Sequence, residues 1–89
     1  MDMRLKETNV ITFRARLERW IVHHDALVGY VYDSRKFPPG TRILTEPLRF
    51  IDPINNYAEC HHEAYKLGEP GTAEEHSRKT LGLADIKEA

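Results

Sequence analysis

The side chains with the widest chemical range in this chain are its five histidines and single cysteine. Most of them fall into two clusters, His23-His24 and Cys60-His61-His62. Imidazoles and a thiolate converging from neighbouring strands would suit Zn²⁺. The spacing argues against a metal: adjacent residues on a strand point to opposite faces, so each His pair offers one ligand per side, and no C-x-x-C or H-x₃-H unit is present. A half-buried, hydrogen-bonded His23 or His62 with its neighbour in water is the simpler account. Cys60 and His62, as alternate residues of one strand, would share a face like a nucleophile and its base. A small thiol beside Ala58 and Ala64 reads instead as core, and no pocket or oxyanion donor is legible. Glu59 and Glu63, four residues apart on an extended strand, would stand roughly 13 Å apart, too far for paired acid–base work. The sequence therefore offers no catalytic, cofactor-binding or metal-ligating set, and the expectation is a protein that is not an enzyme.

What remains is recognition chemistry. Arg35, Lys36, Phe37 and Arg42 lie close together, and Arg and exposed aromatic residues are common at contact hot spots; these four are the expected partner-binding residues. With Tyr30 and Tyr32 nearby, the same stretch suits a small curled sheet that stacks single-stranded nucleic acid. Against that alternative, a chain with eight aromatic residues needs them for its core, and a formal net charge of −1 provides no long-range attraction for phosphates. A protein is the expected partner. Phe37 has a second reading, as a plug closing the end of the sheet.

The positioning elements read as β. Phe37-Pro-Pro-Gly-Thr-Arg-Ile-Leu-Thr45 is a tight turn feeding a strand: proline fixes φ and Gly40 supplies the positive φ that a side chain resists. Between Val10 and His24, helical and alternating templates fit equally well. The β-prone run Trp20-Ile21-Val22 and the short link at Asp25-Ala26 favour one long strand over 11–23, open to interruption. Leu27 to Tyr32 is the clearest strand, with Gly29 leaving room for a bulge or a close backbone crossing. Thr41 to Ile51 forms a strand that must bend, bulge or lie at an edge at Pro47, which allows the faces to exchange between Ile43/Thr45 and Leu48/Phe50. Tyr57 to Leu67 alternates, with Ala58, Cys60, His62 and Ala64 on the inner face and Tyr57, Glu59, His61, Glu63 and Tyr65 on the other. Gly68-Glu-Pro-Gly71 ends the sheet. Thr72-Ala-Glu-Glu75 has capping-box spacing, so a helix from Ala73 to about Leu81 should follow, ending at Gly82 and docked by Leu81, Leu83 and Ile86.

The expected fold is mainly β, a small bent antiparallel sheet or SH3-like barrel of four to five strands plus a short C-terminal helix. Residues 1–10 are read as a flexible N-terminus, 11–71 as the β domain and 72–89 as the C-terminal helix and tail. Eighty-nine residues suit one core. No apolar run approaches the ~20 residues a membrane helix needs, the N-terminus lacks a secretory core, and one cysteine forms no internal disulfide. A cytoplasmic monomer or homodimer without membrane contact is expected. Charge is uneven: residues 1–50 hold nine Lys/Arg against six Asp/Glu, and residues 51–89 four against eight, a polarity that could orient a partner.

The ordered set Leu17-x-x-Trp20, Leu27-x-Gly29-x-Val31-Tyr32, Phe37-x-x-Gly40-Thr41-x-Ile43-x-Thr45 and Tyr65-x-Leu67-Gly68-Glu69-Pro70 resembles a group of short bacterial, plasmid and phage-borne accessory proteins. The resemblance spans roughly residues 17–70. Pro39 and Glu46-Pro47 depart from the group's usual acidic turn residue and small polar residue. Turn glycines and core aromatics dominate it, so it implies a shared β fold and carries over no catalytic residue. It further implies a phage or mobile-element protein that binds and modulates a host macromolecular complex, with anti-CRISPR or other anti-defence inhibition as one concrete form.

Overall fold

The computed structural model describes residues 12–79 and 86–89, which form one open, mixed β-sheet with a short helix against it. The strands are β1 (Phe13–His23), β2 (Ala26–Tyr32), β3 (Thr41–Leu44), β4 (Leu48–Asp52), β5 (Tyr57–Cys60), β6 (Ala64–Leu67) and β7 (Lys87–Glu88), and the helix is α1 (Ala73–Lys79). Their order across the sheet is β4-β5-β6-β1-β2-β3-β7. The mainly-β expectation with one short helix holds. The strands number seven rather than four or five, because two segments read as single strands each divide and Lys87–Glu88, in the stretch read as helix and tail, adds a short strand beside β3. Tyr57 to Leu67 folds back at His61-His62-Glu63, where the Cys60 amide donates to the Glu63 carbonyl at 2.6 Å, and the turn moves Tyr65 from the outer face of the expected strand to the core, opposite Ala58. Thr41 to Ile51 breaks at Thr45-Glu46-Pro47. Pairing is not wholly antiparallel either: β1–β6 and β3–β7 run parallel, since each pair is joined by a long excursion rather than a hairpin. The expected residues 1–10, and Leu81, Gly82 and Leu83, lie outside the described residues.

β1 is the long strand anticipated, and its interruption is specific. Its register with β2 shifts between Glu18 and Ile21, where Arg19 takes a φ of 54°. Gly29 of β2 lies against this bulge, and a Cβ there would meet Trp20 Cβ at 3.1 Å and the Glu18 carbonyl at 3.3 Å, a close backbone crossing that favours glycine. The bulge turns its backbone groups toward the segment after β6. Arg19 donates to the Glu69 carbonyl at 2.6 Å, Gly71 to the Trp20 carbonyl at 2.9 Å, and Trp20 Nε1 to the Gly68 carbonyl at 3.1 Å.

The inner face holds Ala15, Leu17, Leu27, Val31, Ile43, Ala58, Cys60, Tyr65 and Leu67. Each large aliphatic side chain removed from water here contributes about 1.5–3 kcal/mol. The Pro38–Thr41 turn forms as expected, with Gly40 at φ 86° and the Thr41 amide donating to the Pro38 carbonyl at 3.2 Å. The link after β3 is pinned beside the β1–β2 turn: buried Thr45 exchanges backbone and hydroxyl hydrogen bonds with Leu27, and the Leu48 amide donates to Asp25 at 2.6 Å. Pro47, with no amide to offer, sits at the corner without forfeiting a ladder bond.

α1 packs on the outer face of β2 and β3. Thr72 Oγ1 accepts from the Glu75 amide at 3.1 Å, the expected N-cap, while the Glu75 carboxylate pairs with Arg19. His76, 2% exposed, is the docking residue. Its ring stacks on Tyr30 at 5.6 Å, its Nδ1 accepts from Arg42 Nε at 3.3 Å, and its Nε2 lies 2.6 Å from the Arg19 carbonyl, the arrangement of the Nε2–H tautomer.

Gly71 tests this framework. A Cβ at that position would overlap the Arg19 carbonyl, which is backbone and cannot swing away. Gly71→Ala is therefore expected to destabilise the fold by about 1–3 kcal/mol, read as a lower denaturant midpoint with an unchanged slope.

Candidate interaction surface

The loop from Asp33 to Phe37 is built by short-range polar contacts. Ser34 Oγ accepts from the Lys36 and Phe37 amides at 2.9 and 3.1 Å, a turn that a serine makes with its own following backbone. Asp33, at φ 61°, holds Arg16 at 2.8 Å. Arg35 and Lys36 are exposed, with the Lys36 ammonium 5.2 Å from the Phe37 ring centre. Phe37 itself is half-buried and packed against the core, as its plug reading requires. Arg42 is elsewhere: 4% exposed, it lies beneath α1, where Nη2 donates to the His76 carbonyl at 2.8 Å. Its strand position explains this, since the outward face of β3 that would have met solvent is the face the helix covers. Of the four sequence-selected residues, the structure brings Arg35, Lys36 and Phe37 together and separates Arg42 from them.

Arg35 also forms one wall of a cleft of about 550 Å³, whose other borders include Phe13, Arg14, Asp33, His62 and Glu63. The charges on this cleft are largely committed. Arg14 pairs with Glu63 at 2.8 Å, and Tyr65 donates its hydroxyl to the second Glu63 oxygen at 2.8 Å. His62 is tethered through its amide and Nδ1 to Glu46, at 2.7 and 3.2 Å. Arg35 is the cleft's arginine with no ion pair among the described residues. It is the one most available to an incoming group.

Phe13 leads from this cleft onto an aromatic row that sequence reasoning missed. Phe13 meets Tyr57 edge to face at 5.7 Å, Tyr57 meets Phe50 at 5.9 Å, and the Lys66 ammonium lies 5.4 Å from the Phe13 ring centre. The row crosses the outer face of the β4–β5–β6–β1 half of the sheet, where Phe50 is 44% exposed. Strict alternation puts Phe13 with Ala15 and Leu17, and Phe50 with Leu48, all on the core face. Register shifts between Phe13 and Ala15 and between Leu48 and Phe50 turn both rings outward. Each shift inserts one extra residue and so reverses the parity of the strand beyond it. The legible part was Tyr57, whose alternation with Ala58 already placed it outside.

The nucleophile and metal readings meet a different geometry from the one assumed. Cys60 ends β5 in the core at 1% exposure, while His62 belongs to the turn after it with its side chain 70% exposed; the two share no face. Burial pushes the Cys60 thiol above its ordinary value, and the neighbouring Glu46, Glu63 and Glu59 carboxylates add to that. Burial likewise raises the Tyr65 phenol, helped by its bond to Glu63. Glu59 pairs with Ala64 across the β5–β6 hairpin, so its extended-strand separation from Glu63 does not apply; the Glu63 carboxylate is occupied by Arg14 and Tyr65. His23 and His24 meet edge to face at the β1–β2 turn. No three His, Cys, Asp or Glu side chains among the described residues are grouped to hold a metal ion, and no helix there is long and apolar enough to cross a membrane. No protein family, curated protein or solved structure matches this chain.

Two expectations follow for this region. Cys60 should resist a disulfide reagent such as DTNB in the folded protein and react fully once denaturant opens the core; rapid native-state labelling would contradict the buried thiol. Hydrogen bonds from the His62 backbone and ring hold the Glu46 carboxyl below its ordinary 4.5. A carboxyl lowered on folding stabilises above its unfolded value and loses that contribution as pH falls through the lower folded one. Glu46→Gln should therefore reduce stability near neutral pH and flatten the decline below pH 4.5, checked by melting temperature against pH.

Proposed function

We propose that this chain is a non-enzymatic binding protein that engages and modulates a host protein or ribonucleoprotein complex. The single observation that carries the reading is the position of Phe13, which ends the exposed aromatic row and also walls the cleft bearing Arg35. Aromatic rings with an adjacent uncommitted guanidinium are the composition of contact hot spots. The Arg35-Lys36 corner supplies charge for orientation, and the half-buried Phe37 holds that corner rigid. The resemblance over residues 17–70 favours a phage or mobile-element accessory protein of the cytoplasm, with anti-CRISPR or related anti-defence inhibition as its concrete form.

A second reading, single-stranded nucleic-acid binding, is favoured by the row itself, because edge-packed aromatics with Lys66 beside them resemble a stacking platform. Glu59 and Asp52 on the same outward face weigh against phosphate binding.

Tagged full-length protein is expected to retain a specific partner from bacterial host lysate at low salt, and the Arg35→Glu/Lys36→Glu double variant to retain about tenfold less, the loss expected of a removed hot spot. No specific partner, or equal capture by a folded variant, would end the proposal. Anisotropy with a labelled single-stranded oligonucleotide decides the second reading: it requires binding that weakens with salt and on Tyr57→Ala.

A further inference from the structure

The seven described residues of α1 are too few to persist as a helix without a dock. Among the described residues, two of its side chains fasten it: Glu75 to the Arg19 guanidinium, and His76 to β1, β2 and β3 at once. The partners of this buried imidazole assign both of its nitrogens. The Arg19 carbonyl can only accept, so Nε2 carries the hydrogen, and Arg42 Nε can only donate, so Nδ1 presents a bare lone pair. The dock is therefore made by the neutral ring.

A second proton has one place to go, Nδ1, where it would point at the Arg42 Nε–H 3.3 Å away. The surrounding charges do not relieve that conflict. From β3, Arg42 is itself a buried cation with no carboxylate paired to it among the described residues. From β2 the Tyr30 ring stacks on the imidazole, and from β1 the Arg19 guanidinium adds a further cation, paired with Glu75 of α1. His23 of β1 and Glu88 of β7 border the groove beside His76, and neither is ion-paired with His76 or Arg42. A buried charge set against a like charge is strongly disfavoured.

We propose that His76 is an acid-released latch: protonation of its ring breaks the dock, and α1 lifts from β2 and β3 to expose the Arg42 guanidinium. An imidazole in water takes its proton at about pH 6.5. Docking is then complete above that value and weakens below it, by up to roughly tenfold in the opening constant per pH unit. Glu46, Asp52 and Glu75 titrate beneath 4.5, the last because its pairing with Arg19 outweighs its burial, so the response above pH 5 belongs to an imidazole. The latch uses no residue of the Phe13–Arg35 surface and stands whether or not a macromolecular partner is found.

The test is an acid titration of ¹⁵N-labelled full-length protein from about pH 7.5 to about pH 5, read by long-range ¹H–¹⁵N correlations of the imidazoles together with the α1 amides and the Arg42 Nε–H. His76 is expected to start as the Nε2–H tautomer and to gain its second proton only as the α1 amides and the Arg42 Nε–H leave their native positions, while the β1, β5 and β6 amides hold theirs. A His76 ring that protonates with α1 in place would overturn the proposal. So would a helix still docked on a neutral ring at the acid end, or loss of the whole sheet in the same step. His76→Gln has no titrating ring and should leave the α1 amides independent of pH over this range, whereas His23→Gln should keep the full response. A response that survives His76→Gln, or that disappears in His23→Gln, would assign the switch elsewhere and overturn the latch. The first three outcomes are read on the unaltered protein and do not depend on a variant folding.

Discussion

A three-residue link, Thr45-Glu46-Pro47, joins two strands that stand five places apart in the sheet order. In a flat sheet β3 and β4 would be about 24 Å apart at the usual strand spacing, whereas the chain from Leu44 to Leu48 reaches about 14 Å at most. The sheet must therefore curl until its β4 edge returns toward the β1–β2 turn. The Leu48–Asp25 hydrogen bond and the Thr45–Leu27 exchange hold it there, and Glu46 extends the fastening to the β5–β6 turn through His62. Every other feature of the molecule follows from that curl.

Curling separates an inner face, small enough to be filled by Leu17, Leu27, Val31, Ile43 and Tyr65, from an outer face too large for one short helix to cover. α1 shields the outer side of β2 and β3 and buries Arg42 and His76 there. The outer side of β4, β5, β6 and the start of β1 keeps its aromatic row. The functional candidates are thus what a small curled sheet leaves over: a hydrogen-bonded loop corner at Arg35-Lys36 and exposed rings near it. Neither requires motion, since the loop and its corner are held by named hydrogen bonds.

Much of the fold could be read from local residue chemistry. The Pro38-Pro39-Gly40 turn, the Thr72 cap, the crowding at Gly29 and an irregularity at Pro47 all depend on interactions within a few residues or on a missing atom, a hydrogen or a Cβ. The hairpin at His61-His62-Glu63 was not legible, because nothing in that run resembles a glycine-rich turn; its reversal is held by the Glu46 tether and the Pro47 carbonyl, sixteen and fourteen residues earlier. Among the site residues, Arg35, Lys36 and Phe37 share one loop and could be grouped by sequence position. Arg42 follows them in sequence but is drawn under a helix that begins over thirty residues later.

By itself the sequence determined a mainly-β chain with its turns, its corner and its capped helix, because each is a short-range consequence of backbone stereochemistry and of alternating side chains. Tertiary structure alone decided that Phe13 and Phe50 face outward and that Arg42 is the buried cation. Bulges at Arg14, Arg19 and Arg49 shift strand parity, and a bulge is selected by how neighbouring strands must twist to close around a shared core, which no local pattern encodes.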